Sequence, residues 1–196
     1  MLTICASVLA VASACWLYLV VKTMLVKKSV SLVIITKLNG VYLALLQKRA
    51  SWNTEKGTKE SYPGCMQTSC HGKLEKGETF VQALFREARE ELGENFVAKC
   101  LKNIPLRQIS DDYDGRNRII TFATFVPKER LLMIQPNDDI ACLVYISEDE
   151  IDQINPNAEM MKAEGPPPGV LAMFSGRIKA IRLAFEMVRM EHTGDA

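Results

Sequence analysis

Residues 72–94 read GKLEKGETFVQALFREAREELGE, and the rest of the chain takes its meaning from them. From Thr79 to Gly93 the apolar residues Val81, Leu84, Ala88 and Leu92 recur at spacings of three and four, the pattern of one helix stripe. Glu87, Glu90 and Glu91 fall at i, i+3 and i+4, so their carboxylates share one polar face within a turn. Like charges that close repel, and a helix built only for solubility would interleave lysines. A divalent cation relieves the repulsion, and hard carboxylate oxygens suit Mg²⁺ or Mn²⁺. Ahead of the helix, Gly72 and Gly77-Glu78-Thr79 form a tight loop that delivers backbone groups to its N-terminus.

The spacing G-x5-E-x7-R-E-U-x-E-E-x-G-U, with U apolar, resembles the Nudix box. Gly72, Glu78, Arg86, Glu87, Ala88, Glu90, Glu91 and Gly93 fill it, and only Glu94 departs, standing where the family prefers Ile, Leu or Val. The resemblance covers Ser29 to about Met190. It implies an α/β fold, an α/β/α sandwich with a mixed sheet, that hydrolyses a diphosphate linkage in a nucleoside diphosphate derivative. By the family pattern Glu90 and Glu91 are the principal metal ligands, and Glu87 is a ligand or helps to activate water. The carbonyl of Gly72 completes the metal sphere, Arg86 orients the glutamates, and Glu78 ties the loop to the helix. Some members carry a further acid in a later loop, where Asp139 stands here with Asp138 as its rival; a surface turn is the alternative for either. The family's Pro-Gly-Gly approach to the box becomes Pro63-Gly64 and a detour to Gly72, so substrate contacts do not carry over from that segment.

A chain of 196 residues allows one core of ordinary size plus an appendage. A net charge of +1 offers no sign of nucleic-acid binding. The appendage is residues 1–28, and 29–196 make the hydrolase-like domain. Leu2 to Val21 is apolar apart from Thr3, Ser7 and Ser13, and about 20 residues suffice for a helix to cross a membrane. Trp16 and Tyr18 suit an interface, and Lys22, Lys27 and Lys28 follow. The expectation is therefore one N-terminal transmembrane helix over residues 2–21 with the catalytic domain facing the cytosol. The alternative is a secreted protein, because Ala12-Ser13-Ala14 resembles a signal cleavage site, although no basic residues precede the run. Cys65, Cys70, Cys100 and Cys142 form no CxxC pair, so reduced thiols are expected, and Cys65, Cys70 and His71 lack the second pair a zinc site needs.

Ser29–Thr36 and Val41–Gln47 are β-branched or apolar runs around Asn39-Gly40, a hairpin signal. Ala50–Thr68 reads as a surface loop, and Asn95–Ile109 holds a short strand, broken by Pro105. Asp111 to Gly115 is an acidic turn, while Ile119–Val126 and Ile140–Ile146 are strands. Ser147 with Glu150 reads as a helix start. After the Gly165–Gly169 loop, Ser175 caps a last helix with Ile178, Ile181, Phe185 and Val188 in its stripe.

The substrate stays open between nucleoside triphosphates, ADP-ribose, dinucleoside polyphosphates and other diphosphates. Tyr113 lies near the place where dinucleoside polyphosphate hydrolases carry a tyrosine. Two other readings are a nucleotide-sensing module without activity, which an intact acidic trio disfavours, and an isoprenoid diphosphate isomerase-like enzyme. No specific protein partner is implied.

Overall fold

The computed structural model describes residues 26–54, 57–162 and 164–192. Strands β1 (Lys27–Leu38) and β2 (Val41–Arg49) form the expected hairpin. Its turn residues Asn39 and Gly40 have φ of 51° and 86°, the left-handed pair that a two-residue hairpin turn demands. After the small β3–β4 ribbon (Trp52–Asn53 and Thr58–Lys59) come β5 (Met66–Gln67) and β6 (Cys70–Lys73). Helices α1 (Phe80–Leu92) and α2 (Glu94–Lys99) follow, then β7 (Arg107–Asp114) and β8 (Asn117–Phe125). A single turn α3 (Lys128–Leu131), β9 (Ile140–Ser147) and α4 (Ser175–His192) end the described chain.

The sheet is mixed. β8 lies parallel to β1, while β7 on β8, β2 on β1 and β9 on β2 are antiparallel. One edge of β1 is shared in succession: β6 pairs with Ser29–Leu32 and β2 with Ile34–Leu38. The sheet therefore forks at Val33. Ser69 fills the fork, its hydroxyl accepting from the Ile34 amide at 2.7 Å and donating to the Leu45 carbonyl at 2.5 Å. Without such a partner both backbone groups would be buried unsatisfied, at a cost of about 1–3 kcal/mol each.

Alternation along β1 sends successive side chains to opposite layers. Val30, Leu32 and Ile34 pack with Leu84, Ala88, Leu92 and Phe96 from α1 and α2. Val33 and Ile35 pack with Ile178, Ile181, Phe185 and Val188 of α4, the stripe read from the sequence. Helices thus cover both faces, and truncating Phe96 or Phe185 to alanine would cost about 3–5 kcal/mol.

Several expectations need correction. Among the described residues no helix is long and apolar enough to cross a membrane. The transmembrane helix and the single-pass membrane placement are therefore not supported; residues 2–21, on which they rested, lie outside the described residues. β1 begins at Lys27, inside the stretch assigned to the flank of that segment. Residues 65–70 are buried, because β5 and β6 wedge into the fork instead of looping over the surface. Within Asn95–Ile109 strand begins only at Arg107, the start of β7, while residues 94–99 form α2 with Phe96 and Val97 driven into the α1 layer. The acidic turn is mostly strand, since Asp111 to Asp114 pair with β8 and only the Gly115 end turns. Ser147 accepts the predicted role only in part. Its amide and hydroxyl both donate to Glu150, but a 3₁₀ turn follows where a helix was expected.

Candidate active site

The site is built on α1, so what fixes that helix fixes the site. Thr79 caps it: the Thr79 hydroxyl accepts from the Gln82 amide at 3.2 Å, and Gln82 Oε1 accepts from the Thr79 amide at 2.9 Å. Such reciprocal capping contributes about 1 kcal/mol. Ala83, Leu84, Ala88 and Leu92 are buried; Val81, expected in that stripe, is exposed, and Ala83 takes its place. Gly93 ends the helix with φ of 96° and donates to the Arg89 carbonyl at 3.1 Å. The chain turns at once into α2, whose first residue is Glu94. That explains the one departure from the box pattern. Glu94 is exposed, pairs with Arg89 at 3.3 Å, and its charge suits a helix N-terminus.

Arg86 organises the near side of the acidic face. Its Nε and Nη2 donate to the two oxygens of Glu78 at 2.9 and 3.1 Å, a bidentate grip, and Nη2 also reaches the Lys73 carbonyl at 2.7 Å. Nη1 donates to Glu87 at 2.9 Å and to Glu90 at 3.3 Å. Glu78 in turn accepts from the Glu75 amide at 2.8 Å, so it binds the loop to the helix through Arg86. The guanidinium holds the Glu78 carboxyl below its ordinary range, and Glu78 holds Arg86 above its own.

Glu87 leans on Gly72. A Cβ at residue 72 would stand 1.7 Å from the Glu87 carboxyl carbon and 1.9 Å from Oε1. Only glycine leaves that space, and it brings the Gly72 backbone and the Glu87 carboxylate side by side. Burial raises the Glu87 carboxyl against the opposing pull of Arg86.

Glu91 turns the other way, into the fork. Its Oε2 accepts from the His71 amide at 3.1 Å and from Gln47 Nε2 at 3.2 Å. Burial pushes its pKa up to about 7, the two donors working against the shift and the Glu87 charge adding to it. The Cys70 thiol lies against it and is pushed up by burial and by the Glu91 and Glu87 charges. Burial drives His71 well below its usual value, leaving the imidazole neutral.

Glu87, Glu90 and Glu91 thus share the face that their spacing demanded. As they stand, Arg86 draws two of them outward and Gln47 holds the third inward. Among the described residues no three Asp, Glu, His or Cys side chains are gathered closely enough to hold a metal ion. The donor set nevertheless fits a hard divalent cation. Glu87, Glu90 and Glu91 offer carboxylate oxygens from one helix, and Glu87 occupies a cradle against Gly72 that no other residue at 72 would permit. Asp139 lies elsewhere in the hydrogen-bond network. Its Oδ2 accepts from Asn53 at 3.1 Å and its Oδ1 from the Thr54 amide and hydroxyl at 3.0 and 3.1 Å.

Sequence reasoning passed over Gln47, although a fully buried glutamine at the end of an apolar strand is a signal in itself. Gln47 begins a polar chain. Gln67 Nε2 donates to Gln47 Oε1 at 2.7 Å, while Gln67 Oε1 accepts from Arg49 at 3.0 Å and from Arg177 at 3.4 Å. Arg49 is neutralised by Glu60, which Asn53 also holds at 3.0 Å.

The same fold recurs in known proteins. A mutT/nudix family protein from Listeria innocua superposes with a TM-score of 0.56 at 20% identity, over 84% of this chain and 95% of that one. DR0079 from Deinococcus radiodurans gives 0.53 at 16% identity, over 81% and 83%. An Ap4A hydrolase from C. elegans gives 0.52 at 14%, over 84% and 97%. At these identities the likeness is one of fold. No curated protein sequence matches the chain. The sequence model of the NUDIX domain matches residues 26–164, most of the chain and all of the box; the chain belongs to the NUDIX family.

Proposed function

We propose that the chain hydrolyses a diphosphate linkage in a nucleoside diphosphate derivative, with Mg²⁺ or Mn²⁺ held by Glu87, Glu90, Glu91 and the Gly72 carbonyl. The observation that carries this reading is the fit of the Glu87 carboxylate into the space where residue 72 has no side chain. A helix that merely displayed acids to solvent would have no need of such a close approach. The C. elegans Ap4A hydrolase, similar in fold, is named for action on a dinucleoside polyphosphate, which supports the substrate class.

A divalent cation in this site supplies charge neutralisation on the phosphate oxygens and Lewis acidity at phosphorus. The protein's own groups do the rest. Arg86 fixes Glu87 and Glu78 with a planar fork, which holds the Glu87 carboxylate against Gly72. Glu91 would serve as a ligand carboxylate, and its burial disfavours the ionised form until a cation binds. Gln47 and the His71 amide hold Glu91 in one orientation, which removes the cost of ordering it during reaction. Asp139 is engaged by Asn53 and Thr54, which tie it to the β3 loop rather than to the three glutamates.

The test is Mg²⁺-dependent release of a nucleoside monophosphate, compared between the native chain and Glu91→Gln. A fall of at least 100-fold is expected, and equal rates would refute the assignment.

A further inference from the structure

Gln47 and Gln67 are strand partners, directly opposite each other where β2 meets β5. Both are buried, Gln47 completely. An amide in such a place costs stability unless its oxygen and its N–H bonds find partners. Here they do, and the chain of partners has a direction.

Two guanidiniums set that direction. Arg49 Nη1 donates to Gln67 Oε1 at 3.0 Å, and Arg177 Nη1 donates to the same oxygen at 3.4 Å. Arginine can only donate, so the atom it meets on Gln67 must be the oxygen. The Gln67 nitrogen is thereby left facing Gln47, and it donates to Gln47 Oε1 at 2.7 Å. Gln47 is turned the same way in consequence. Its nitrogen donates to the Ser69 carbonyl at 2.6 Å and to Glu91 Oε2 at 3.2 Å. The His71 amide meets that carboxylate oxygen too, at 3.1 Å. Glu91 is therefore gripped by one oxygen, while Oε1 has no N–H donor among the described residues. Turning the Gln47 amide over would set its oxygen against the Ser69 carbonyl and the Glu91 carboxylate. Turning Gln67 over would set its nitrogen against both arginines. Each orientation enforces the next.

We propose that Gln47 and Gln67, oriented by Arg49 and Arg177, are positioning residues for the metal site: a one-way relay that holds Glu91 by Oε2 and keeps Oε1 for the cation. The proposal rests on the reading of Glu91 as a metal ligand given above. Groups that touch a ligand and not the metal typically change metal affinity about 10–100-fold when removed. Arg177 belongs to α4 and Glu91 to α1, so a residue on one helix layer sets a carboxylate on the other.

The deciding variant is Gln67→Glu. It keeps the size of the side chain and still accepts from Arg49 and Arg177, so the fold is retained, but it offers no N–H to Gln47. The Gln47 amide then turns its nitrogen to the new carboxylate and its oxygen to Glu91. A negative charge added near the site would by itself draw a cation in. The relay predicts the opposite sign: the Mn²⁺ affinity of the full-length chain, measured by calorimetric titration without substrate, should fall about 10-fold or more. Gln67→Met, which has neither an N–H donor nor a charge, should weaken Mn²⁺ binding in the same direction, and it covers the case in which Gln67→Glu fails to fold. Unchanged or tighter Mn²⁺ binding by either folded variant would overturn the relay, as would a native chain that binds no Mn²⁺. Glu91→Gln and turnover, measured alongside, separate the two claims. Mn²⁺ binding lost in Glu91→Gln but kept in Gln67→Glu removes the relay and leaves the hydrolase reading. Mn²⁺ binding weakened in both, with no nucleotide derivative hydrolysed by the native chain, supports the relay and removes the hydrolase.

Discussion

Replacing Glu91 with glutamine should make the metal-free protein more stable at pH 8 while abolishing its chemistry. The Glu91 carboxyl has a pKa of about 7 in the fold against a reference of 4.5. The difference of about 2.5 units corresponds to about 3 kcal/mol at 1.36 kcal/mol per unit. Residual solvent contact trims this to about 2 kcal/mol. The sign follows from the direction of the shift. A folded pKa above the unfolded one means that the protonated group is the favoured one in the fold, so its contribution is fully present below pH 4.5. It is lost as pH rises through 7, when the buried carboxylate must ionise. Glutamine keeps an oxygen for the His71 and Gln47 donors but carries no charge, so it escapes that loss. Urea unfolding in EDTA should therefore show the variant ahead by about 2 kcal/mol at pH 8, and by much less at pH 5. For a domain of this size that is a shift in Tm of roughly 4–8 °C. Mg²⁺ at pH 8 should raise the stability of the native chain and leave the variant nearly unchanged. A variant less stable than the native chain at pH 8, or a difference independent of pH, would refute the argument.

Other substitutions probe the remaining parts. Gly72→Ala places a methyl where the Glu87 carboxyl group lies, so hydrolysis should fall about 100-fold while circular dichroism stays native. Arg86→Lys keeps the charge but loses the bidentate grip on Glu78 and the bond to Lys73, so urea unfolding should report a loss of about 1–3 kcal/mol together with reduced turnover. Asp139→Asn removes charge-assisted bonds to Thr54, so limited proteolysis near residues 53–60 should quicken while turnover stays within a few-fold; a loss of orders of magnitude would make Asp139 part of the chemistry.

The parts of the molecule that were legible in the sequence are those governed by local spacing. α1 and its carboxylates follow from an i, i+3, i+4 pattern, the hairpin from Asn39-Gly40, and α4 from the Ile178, Ile181, Phe185 and Val188 stripe. Tertiary pairing was not legible. Residues 50–68 look like surface loop because they are polar and rich in turn formers, yet 65–68 are buried beside Ser69, which closes a fork that only the three-dimensional pairing of β1, β2 and β6 creates. Residues 94–99 carry no strong helix signal before Pro105, and their conformation follows from Gly93 directing Phe96 and Val97 onto the α1 layer. In the site, the box predicts which glutamates share a face. It does not reveal that Glu91 faces inward onto Gln47 while Glu87 and Glu90 are drawn to Arg86. Arg177 lies over a hundred positions from Gln67, and nothing local links the two. The apolar run at residues 2–21 satisfies a length rule for membrane spanning, but among the described residues no helix does.

The most direct measurement is hydrolysis by the full-length chain, with and without Mg²⁺, of nucleoside triphosphates, ADP-ribose, dinucleoside polyphosphates, capped RNA and isoprenoid diphosphates, with Glu91→Gln beside it. The account expects at least one nucleotide derivative to be cleaved at a diphosphate bond, only with the metal, and at least 100-fold more slowly by the variant. Cleavage that is indifferent to Glu91, or a folded, metal-binding chain that cleaves none of these compounds, would contradict it.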